Sequence, residues 1–297
     1  MLQSVDLWKF VMMVIIFTPG TALNSMIISI YYTDWRGRQH FSPCDQILLS
    51  ISLTNLTMQM LSTLILIMLS FFVELPYVQL YLLHICIFSQ FLTYVHFWNT
   101  AWLSSYYCFK LVSCSHRYFT WLKNRFSSSI VQTIGISLVV IFLITLPINW
   151  MAENTTIHNE TRYHFDVKSP YVAFNLLLGC EVPLLVTLTC IGLSVTSLLR
   201  HVWRIKKNRS EVTSRPQVKG HVRAVRVMVL QTLLNVTLHI ANSGFFLFSW
   251  RLGSILDGIF HFLVLVNPTA DALMLITGNP KLKSRLLRRF NVFCQKV

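Results

Sequence analysis

Seven long apolar stretches, separated by shorter polar segments, occupy most of the 297-residue chain. The hydrocarbon core of a bilayer is about 30 Å thick, so a helix needs about 20 apolar residues to cross it. The pattern therefore predicts an all-α membrane protein, a seven-transmembrane helix bundle that forms a single domain over residues 1–297. The predicted spans are residues 10–32, 46–72, 80–109, 130–150, 171–199, 225–250 and 258–278.

Lysine and arginine are distributed unevenly among the polar segments between these spans. All but four of the 25 Lys and Arg residues lie in segments 33–43, 110–129, 200–226 and 279–297. The four exceptions are Lys9, Arg162, Lys168 and Arg251. Because short cytoplasmic loops collect Lys and Arg, the alternation predicts an extracellular N-terminus and a cytoplasmic C-terminus in a multi-pass protein of the plasma membrane.

The formal net charge of +14 would also be compatible with nucleic-acid binding. The cations follow the membrane topology instead, and no basic soluble segment is long enough to fold around its own core. We therefore expect no nucleic-acid partner. The inner cations either contact anionic lipid and a cytoplasmic protein or only set the orientation in the bilayer, and the sequence leaves both interpretations open.

The segment 151–170, predicted to be extracellular, carries two acceptor sequences for N-glycosylation. They are Asn154-Thr-Thr and Asn159-Glu-Thr. Two such sequences in one short outer loop, whose exposure follows independently from the charge pattern, predict that Asn154 and Asn159 are glycosylated.

Other classes of seven-helix protein make demands that this chain meets poorly. A retinal-binding pump needs a lysine in the seventh span for its Schiff base, and residues 258–278 contain none. The chain lacks the Gly-x-Gly-Asp, Gly-x-Ser-Gly and His-Glu-x-x-His patterns of membrane proteases, so we expect no enzyme activity, no cofactor and no metal. A small-solute transporter usually shows repeated halves; none is evident, and a transporter stays the alternative from another class.

Motifs in four spans resemble those of the type 2 (bitter) taste receptors. The third span and the segment after it contain Trp98-Asn-Thr-Ala-Trp102-Leu-Ser-Ser-Tyr-Tyr-Cys-Phe-Lys110 and Ser115-His-Arg-Tyr-Phe-Thr-Trp121-Leu-Lys-Asn-Arg125. The fifth ends Ser197-Leu-Leu-Arg-His201, the sixth begins His221-Val-Arg-Ala-Val-Arg226, and the seventh ends Leu275-Ile-Thr-Gly-Asn-Pro-Lys-Leu-Lys283. These motifs fall in the family's order, and the resemblance covers most of the chain.

The resemblance implies a G-protein-coupled chemoreceptor that binds a small, mostly apolar, bitter-type agonist and signals through a heterotrimeric G protein. A vomeronasal-type pheromone receptor is the alternative among receptors, and the third-span and seventh-span motifs disfavour it. The chain also departs from the family pattern. Asn55 stands where the family usually has arginine, Asp271-Ala272 replaces a His-Ser pair, and Leu238 aligns with a tyrosine.

Three polar residues lie at membrane depth in the first, second and seventh spans. They are Asn24, Asn55 and Asp271. Such groups face the bundle interior and find partners there. Our hypothesis is that Asp271 accepts a hydrogen bond from Asn24 or Asn55 as part of an activation network. A static structural clamp explains the same residues, and both interpretations stay open.

The outer halves of the third, fifth and sixth spans suggest a ligand pocket. Trp98 and Trp102 are four residues apart and share one helix face. Glu181, at membrane depth in the fifth span, should face the cavity or a donor because an unpaired carboxylate is costly there. Asn242 and Phe245 lie three apart in the sixth span.

His261 extends this candidate pocket to the seventh span. It precedes Asp271 by ten residues and therefore lies about 15 Å nearer the outside. The family resemblance implies ligand contacts at Trp98 and His261. Packing of the two tryptophans, and a water-exposed histidine, are the alternatives.

The cytoplasmic ends of the third, fifth and sixth spans carry five basic or histidine residues. The family resemblance makes them the surface that faces the G protein: Lys110, His201, Arg204, Lys219 and His221. After the seventh span, apolar residues recur at helical spacing at positions 282, 286, 290 and 293. They predict a short amphipathic helix on the inner membrane surface. Cys294 beside it is either palmitoylated or unmodified.

Overall fold

The computed structural model describes most of the chain. The described residues are 2–37, 41–71, 76–112, 117, 121, 125, 129–147, 152–157, 160–165, 170–207, 215–248 and 254–294. In that part the protein is an all-α membrane bundle with one small β-hairpin, which confirms the predicted fold class.

The helices follow one another along the chain in numerical order. They are α1 (Leu2–Arg36), α2 (Pro43–Phe71), α3 (Pro76–Leu111), α4 (Ile130–Thr145), α5, α6 (Arg215–Phe248), α7 (Ser254–Gly278) and α8 (Pro280–Cys294). Helix α5 runs in three consecutive parts: an α-helix Pro170–Leu176, a π-helical turn Leu177–Glu181 and an α-helix Val182–Lys207. Each of α1 to α7 coincides with one predicted span, and most helices extend a few residues beyond it.

Several of these helices can cross a bilayer by length and composition. Among the described residues they are Val14–Arg36, Pro43–Met68, Ala173–Arg200 and Val222–Ser243, and α7 adds a fifth when it is taken with α8 as one bent span. Helix α3 is not among them; it carries the buried polar residues Gln90, His96 and Asn99.

Helix α4 is shorter than its predicted span. The span was expected to reach residue 150, but the α-helix ends at Thr145 after 16 residues and a single 3₁₀ turn follows. Pro147 explains the early end, because it has no main-chain N–H with which to continue the helical hydrogen bonds. The Ile144 carbonyl at this helix end accepts hydrogen bonds from the Tyr171 hydroxyl and, at 2.7 Å, from Asn175 Nδ2 of α5.

The surface of α4 shows what surrounds the bundle. Its large apolar side chains point outward, with Ile136 65% and Val131 63% exposed. Apolar exposure on a helix whose main chain is internally hydrogen-bonded is the arrangement that a lipid environment requires. Inside the bundle the buried apolar residues form two clusters, one around Ile27, Ile47 and Leu275 and the other around Tyr94 and Phe97.

The segment predicted to be an outer loop contains a β-hairpin. Strand β1 (Ala152–Ile157) pairs antiparallel with β2 (Glu160–Phe165), and Ala152 lies opposite Phe165. The hairpin joins α4 to α5. It therefore lies at the end of the bundle where the candidate ligand residues were predicted.

Helix α8 follows α7 at a bend of 101°. Asn279 caps it, because its Oδ1 accepts hydrogen bonds from the main-chain nitrogens of Lys281 and Leu282 at 3.1 and 3.3 Å. Leu282 is only 2% exposed and packs into the cluster around Ile27. The predicted amphipathic helix is thus confirmed, and Leu282 and Leu286 of its apolar face pack on the bundle.

Candidate functional site

A buried carboxylate joins three helices near the middle of the bundle. Asp271 of α7 is completely buried. Its Oδ2 accepts a 2.7 Å hydrogen bond from Asn55 Nδ2 of α2, and its Oδ1 accepts one from Gln231 Nε2 of α6. Both carboxylate oxygens are therefore stabilised by amide donors from different helices. We call Asn55, Gln231 and Asp271 the Asp271 node.

Asn24 lies in the same region, but its side chain does not donate to Asp271, which was one of the two possibilities in our hypothesis. Its Nδ2 donates to the main-chain carbonyls of Gly20 at 3.0 Å and Pro268 at 3.2 Å. Pro268 lies inside α7, where its ring removes one helical hydrogen bond. Asn24 thus ties α1 to the proline segment of α7, while Asn55 is the residue that reaches Asp271.

Further buried polar residues extend from the Asp271 node to α3. Asn99 Nδ2 donates to Thr54 Oγ1 at 3.4 Å, and Asn235 Nδ2 of α6 donates to Thr100 Oγ1 at 2.6 Å. His96 of α3 is also completely buried. The sequence interpretation missed His96 and Gln231. Their membrane depth was a usable signal, since polar groups are rare there.

The π-helical turn of α5 has a direct cause in the sequence. Its hydrogen bond runs from the Val182 main-chain nitrogen to the Leu177 carbonyl. The Leu178 carbonyl is then left without a main-chain donor, because Val182 is already engaged and Pro183 has no N–H. Trp98 Nε1 of α3 donates to that carbonyl at 3.2 Å. Trp98 therefore holds the turn that presents Glu181.

Glu181 ends the π-helical turn and pairs with a residue that the sequence interpretation did not single out. His239 Nε2 of α6 lies 2.9 Å from Glu181 Oε1. The Glu181 side chain is 45% exposed and that of His239 20% exposed. The His239 ring also packs edge-on against Phe97, with ring centres 6.2 Å apart. The pair thus links α5 to α6 beside α3, and the carboxylate stays accessible.

Of the remaining candidate ligand residues, the structure describes the side chains of Trp102 and Asn242 but not those of Phe245 and His261. The Trp102 ring packs at a tilt against Trp98, with ring centres 5.4 Å apart, but its Nε1 donates to Ser137 Oγ of α4 at 3.0 Å. Asn242 is half-buried and lies one turn beyond His239 on α6. Phe245 and His261 lie in α6 and α7, and their side chains fall outside the described part of the structure.

Helix α8 is fastened to the inner ends of α1 and α2 by ion pairs. Lys281 Nζ lies 3.0 Å from Asp45 Oδ2, and Arg285 pairs with Asp34. Asp45 also accepts from the hydroxyl of Ser42, the N-cap of α2, at 2.7 Å. Two buried acids therefore connect the amphipathic helix to the bundle.

Of the residues predicted to face a G protein, Lys110 is exposed at the end of α3, 5.9 Å from the centre of the Tyr106 ring. The other four lie in the inner segments of α5 and α6, and nothing is described of their side chains: His201, Arg204, Lys219 and His221.

The predicted modification sites are only partly described. Asn154 lies in β1 opposite Tyr163, whereas Asn159 falls outside the described residues, and Cys294 is the last residue of α8. Within the described ranges no group of three or more His, Cys, Asp or Glu side chains is arranged to hold a metal ion.

Comparison with known proteins identifies the family. The family model described as "Taste receptor protein (TAS2R)" matches residues 1–293. The chain belongs to this family. It is a multi-pass membrane protein of the type 2 (bitter) taste receptors, as its motifs indicated.

Individual relatives resemble the chain over nearly its whole length. Taste receptor type 2 member 1 of Chlorocebus aethiops is 27% identical, with 95% of each chain covered. Taste receptor type 2 member 13 of Pongo pygmaeus is 28% identical, with 91% of each covered, and member 41 of Rattus norvegicus is 25% identical, with 95% of each covered.

Proposed function

We propose that this chain is a G-protein-coupled chemoreceptor for small, mostly apolar, bitter-type compounds and that it activates a heterotrimeric G protein. The observation that carries the proposal is the family match over residues 1–293. The whole chain, residues 1–297, acts as one receptor domain in the plasma membrane. Its N-terminus is extracellular and its C-terminus cytoplasmic, an orientation supported by the uneven distribution of Lys and Arg.

In this proposal the agonist binds between the outer halves of α3, α5, α6 and α7. Trp98 and Glu181 support this location, because the two residues meet at the π-helical turn beside α6. The other proposed lining residues are Trp102, Asn242, Phe245 and His261. A ligand activates the receptor only by binding the active packing more tightly than the resting one.

The Asp271 node is the proposed switch between these packings. Asn55 of α2 and Gln231 of α6 hold opposite oxygens of one carboxylate. A displacement of α6 relative to α2 therefore breaks one bond while the other remains. Asn24 completes the activation network through α7.

The G protein binds the cytoplasmic face, where Lys110, His201, Arg204, Lys219 and His221 form a cationic rim. Complementary charge of this kind steers a partner and fixes its orientation. The exposed basic residues Lys283 and Arg288 of α8 contact the lipid bilayer beside that surface.

The experiment that tests the function is expression with a promiscuous G protein, followed by a calcium-readout screen of bitter compounds. We expect at least one compound to raise calcium in cells that express the native chain and not in mock-transfected cells. Solute flux through the purified protein in liposomes, without any G-protein activation, would contradict a receptor and favour a small-solute transporter.

A further inference from the structure

The Glu181–His239 pair lies in the outer part of the bundle and leaves part of its carboxylate available. His239 Nε2 contacts Oε1 at 2.9 Å, and the Glu181 side chain is 45% exposed. Among the described residues, no Lys or Arg side chain forms an ion pair with Glu181. The carboxylate therefore has hydrogen-bonding capacity that His239 does not use.

The surroundings of this pair combine aromatic surface with free polar atoms. Phe97 packs against the His239 ring, and Trp98 holds the turn that carries Glu181. His239 Nδ1 and Asn242 Nδ2 are buried and make no hydrogen bond within the part of the chain that the structure describes. Phe97 and these two polar atoms are buried, so the accessible groups for an apolar body and a polar head are the half-buried Trp98 and the exposed part of Glu181.

We propose that the site selects protonated amines with apolar bodies, which pair with Glu181, and that His239 limits their affinity by holding Oε1. This inference rests on the proposed function and names the ligand class of the same site. A charge-assisted hydrogen bond is stronger than a neutral one, and a partly dehydrated site strengthens it further. An anionic ligand is excluded by repulsion from the carboxylate.

The role of His239 follows from the geometry. An ammonium group that hydrogen-bonds to Oε1 displaces the imidazole of His239. An ammonium group that hydrogen-bonds to Oε2 shares the Glu181 carboxylate with that imidazole. In both cases His239 competes for the negative charge. His239 is thus a specificity-determining residue, and its removal strengthens the binding of cations while neutral ligands bind as before.

The test uses purified receptor in detergent, with the ligand-induced rise in unfolding temperature as the measure of affinity. The probes are trans-4-phenylcyclohexylamine and trans-4-phenylcyclohexanol, which share a skeleton and differ in an ammonium or a hydroxyl head. The variants are Glu181→Gln, which keeps the shape and removes the charge, and His239→Phe, which keeps a ring against Phe97 and removes the nitrogens.

We expect the native receptor to bind the amine about tenfold or more tightly than the alcohol, as the charge-assisted bond predicts. Glu181→Gln should remove that preference, and His239→Phe should increase it. Because the two variants change amine affinity in opposite directions, simple misfolding does not reproduce the result.

Equal binding of both probes to the native receptor, or a preference that survives Glu181→Gln, overturns the proposal. Weaker amine binding by His239→Phe overturns the competitive role of His239. The calcium screen distinguishes a failure of the proposed signalling function from a failure of the proposed amine selectivity. An amine preference in the purified protein without any calcium response means that the proposed signalling fails while this inference stands.

Discussion

Asn55 of α2 donates a 2.7 Å hydrogen bond to Asp271 of α7, and both side chains are completely buried. These are two of the positions at which the chain departs from the motif pattern that the family resemblance implies. The change at each position therefore leaves a complementary contact, an amide donor facing a carboxylate. Gln231 adds the second donor from α6.

Replacing Asp271 by Asn should weaken the bundle and change the response to agonist. The amide group of the new Asn has only one acceptor oxygen, so one of the donors of Asn55 and Gln231 loses its partner. A buried unsatisfied donor costs about 1–3 kcal/mol. Thermal unfolding of the purified variant and its agonist dose-response curve measure the two effects.

The same acid-to-amide change at Asp45 is the matched control. Asp45 is also buried and accepts hydrogen bonds from Ser42 and Lys281, so we expect a comparable stability loss of about 1–3 kcal/mol but an unchanged dose-response curve. If Asp271→Asn changes neither surface expression nor the agonist response, the activation role of the Asp271 node is wrong.

Replacing Gly179 by Ala should destabilise the contact between α3 and α5. A Cβ at this position would lie 2.5 Å from ring atoms of Tyr94, whose side chain is 1% exposed and has no room to move. Overpacking of this kind costs about 1–3 kcal/mol. The unfolding temperature should fall. Gly192→Ala on the same helix is the control, because nothing lies within 4 Å of its added Cβ; an equal loss in both variants would contradict the packing.

Replacing Trp98 by Phe should affect the agonist response more than replacing Trp102 by Phe. Both changes remove one indole hydrogen bond, worth about 1 kcal/mol. Only Trp98 bonds to the π-helical turn that carries Glu181, whereas Trp102 bonds to Ser137. We expect Trp98→Phe to lower agonist potency at equal surface expression. Equal potency shifts for the two variants would argue against a role of Trp98 at the ligand site.

The outer hairpin supplies a simple check of orientation. The native receptor should shift to higher mobility after glycosidase treatment, and the double variant Asn154→Gln, Asn159→Gln should show no shift. Asn208 also lies in an acceptor sequence, but in a segment predicted to be cytoplasmic, so Asn208→Gln is the control and should keep the shift. A shift that persists in the double variant would place the carbohydrate elsewhere.

The helices could be predicted because lipid imposes a strong length requirement on apolar segments. Asn55 and Asp271 could be singled out because polar residues at membrane depth need partners. The sequence did not reveal that Asn24 bonds to the Pro268 carbonyl, since two amides on neighbouring helices are equally able to donate to one acid.

The π-helical turn could not be predicted from the sequence pattern. One extra residue in a helical turn rotates the following positions by about 100°, but the rotation is hard to recognise in a span that is apolar on most faces. The cause of the turn combines Pro183 with an indole from another helix. The partner of Glu181 was missed for the same reason, because His239 is brought to it only by the packing of α5 against α6.

The most direct test of the central claim is agonist-stimulated nucleotide exchange by a purified heterotrimeric G protein, with the receptor reconstituted in lipid nanodiscs. The compound is one that the calcium screen identifies. We predict that it accelerates exchange in a dose-dependent manner with the native receptor and much less with Asp271→Asn. An exchange rate that is the same with and without the compound would contradict a receptor that acts through a G protein.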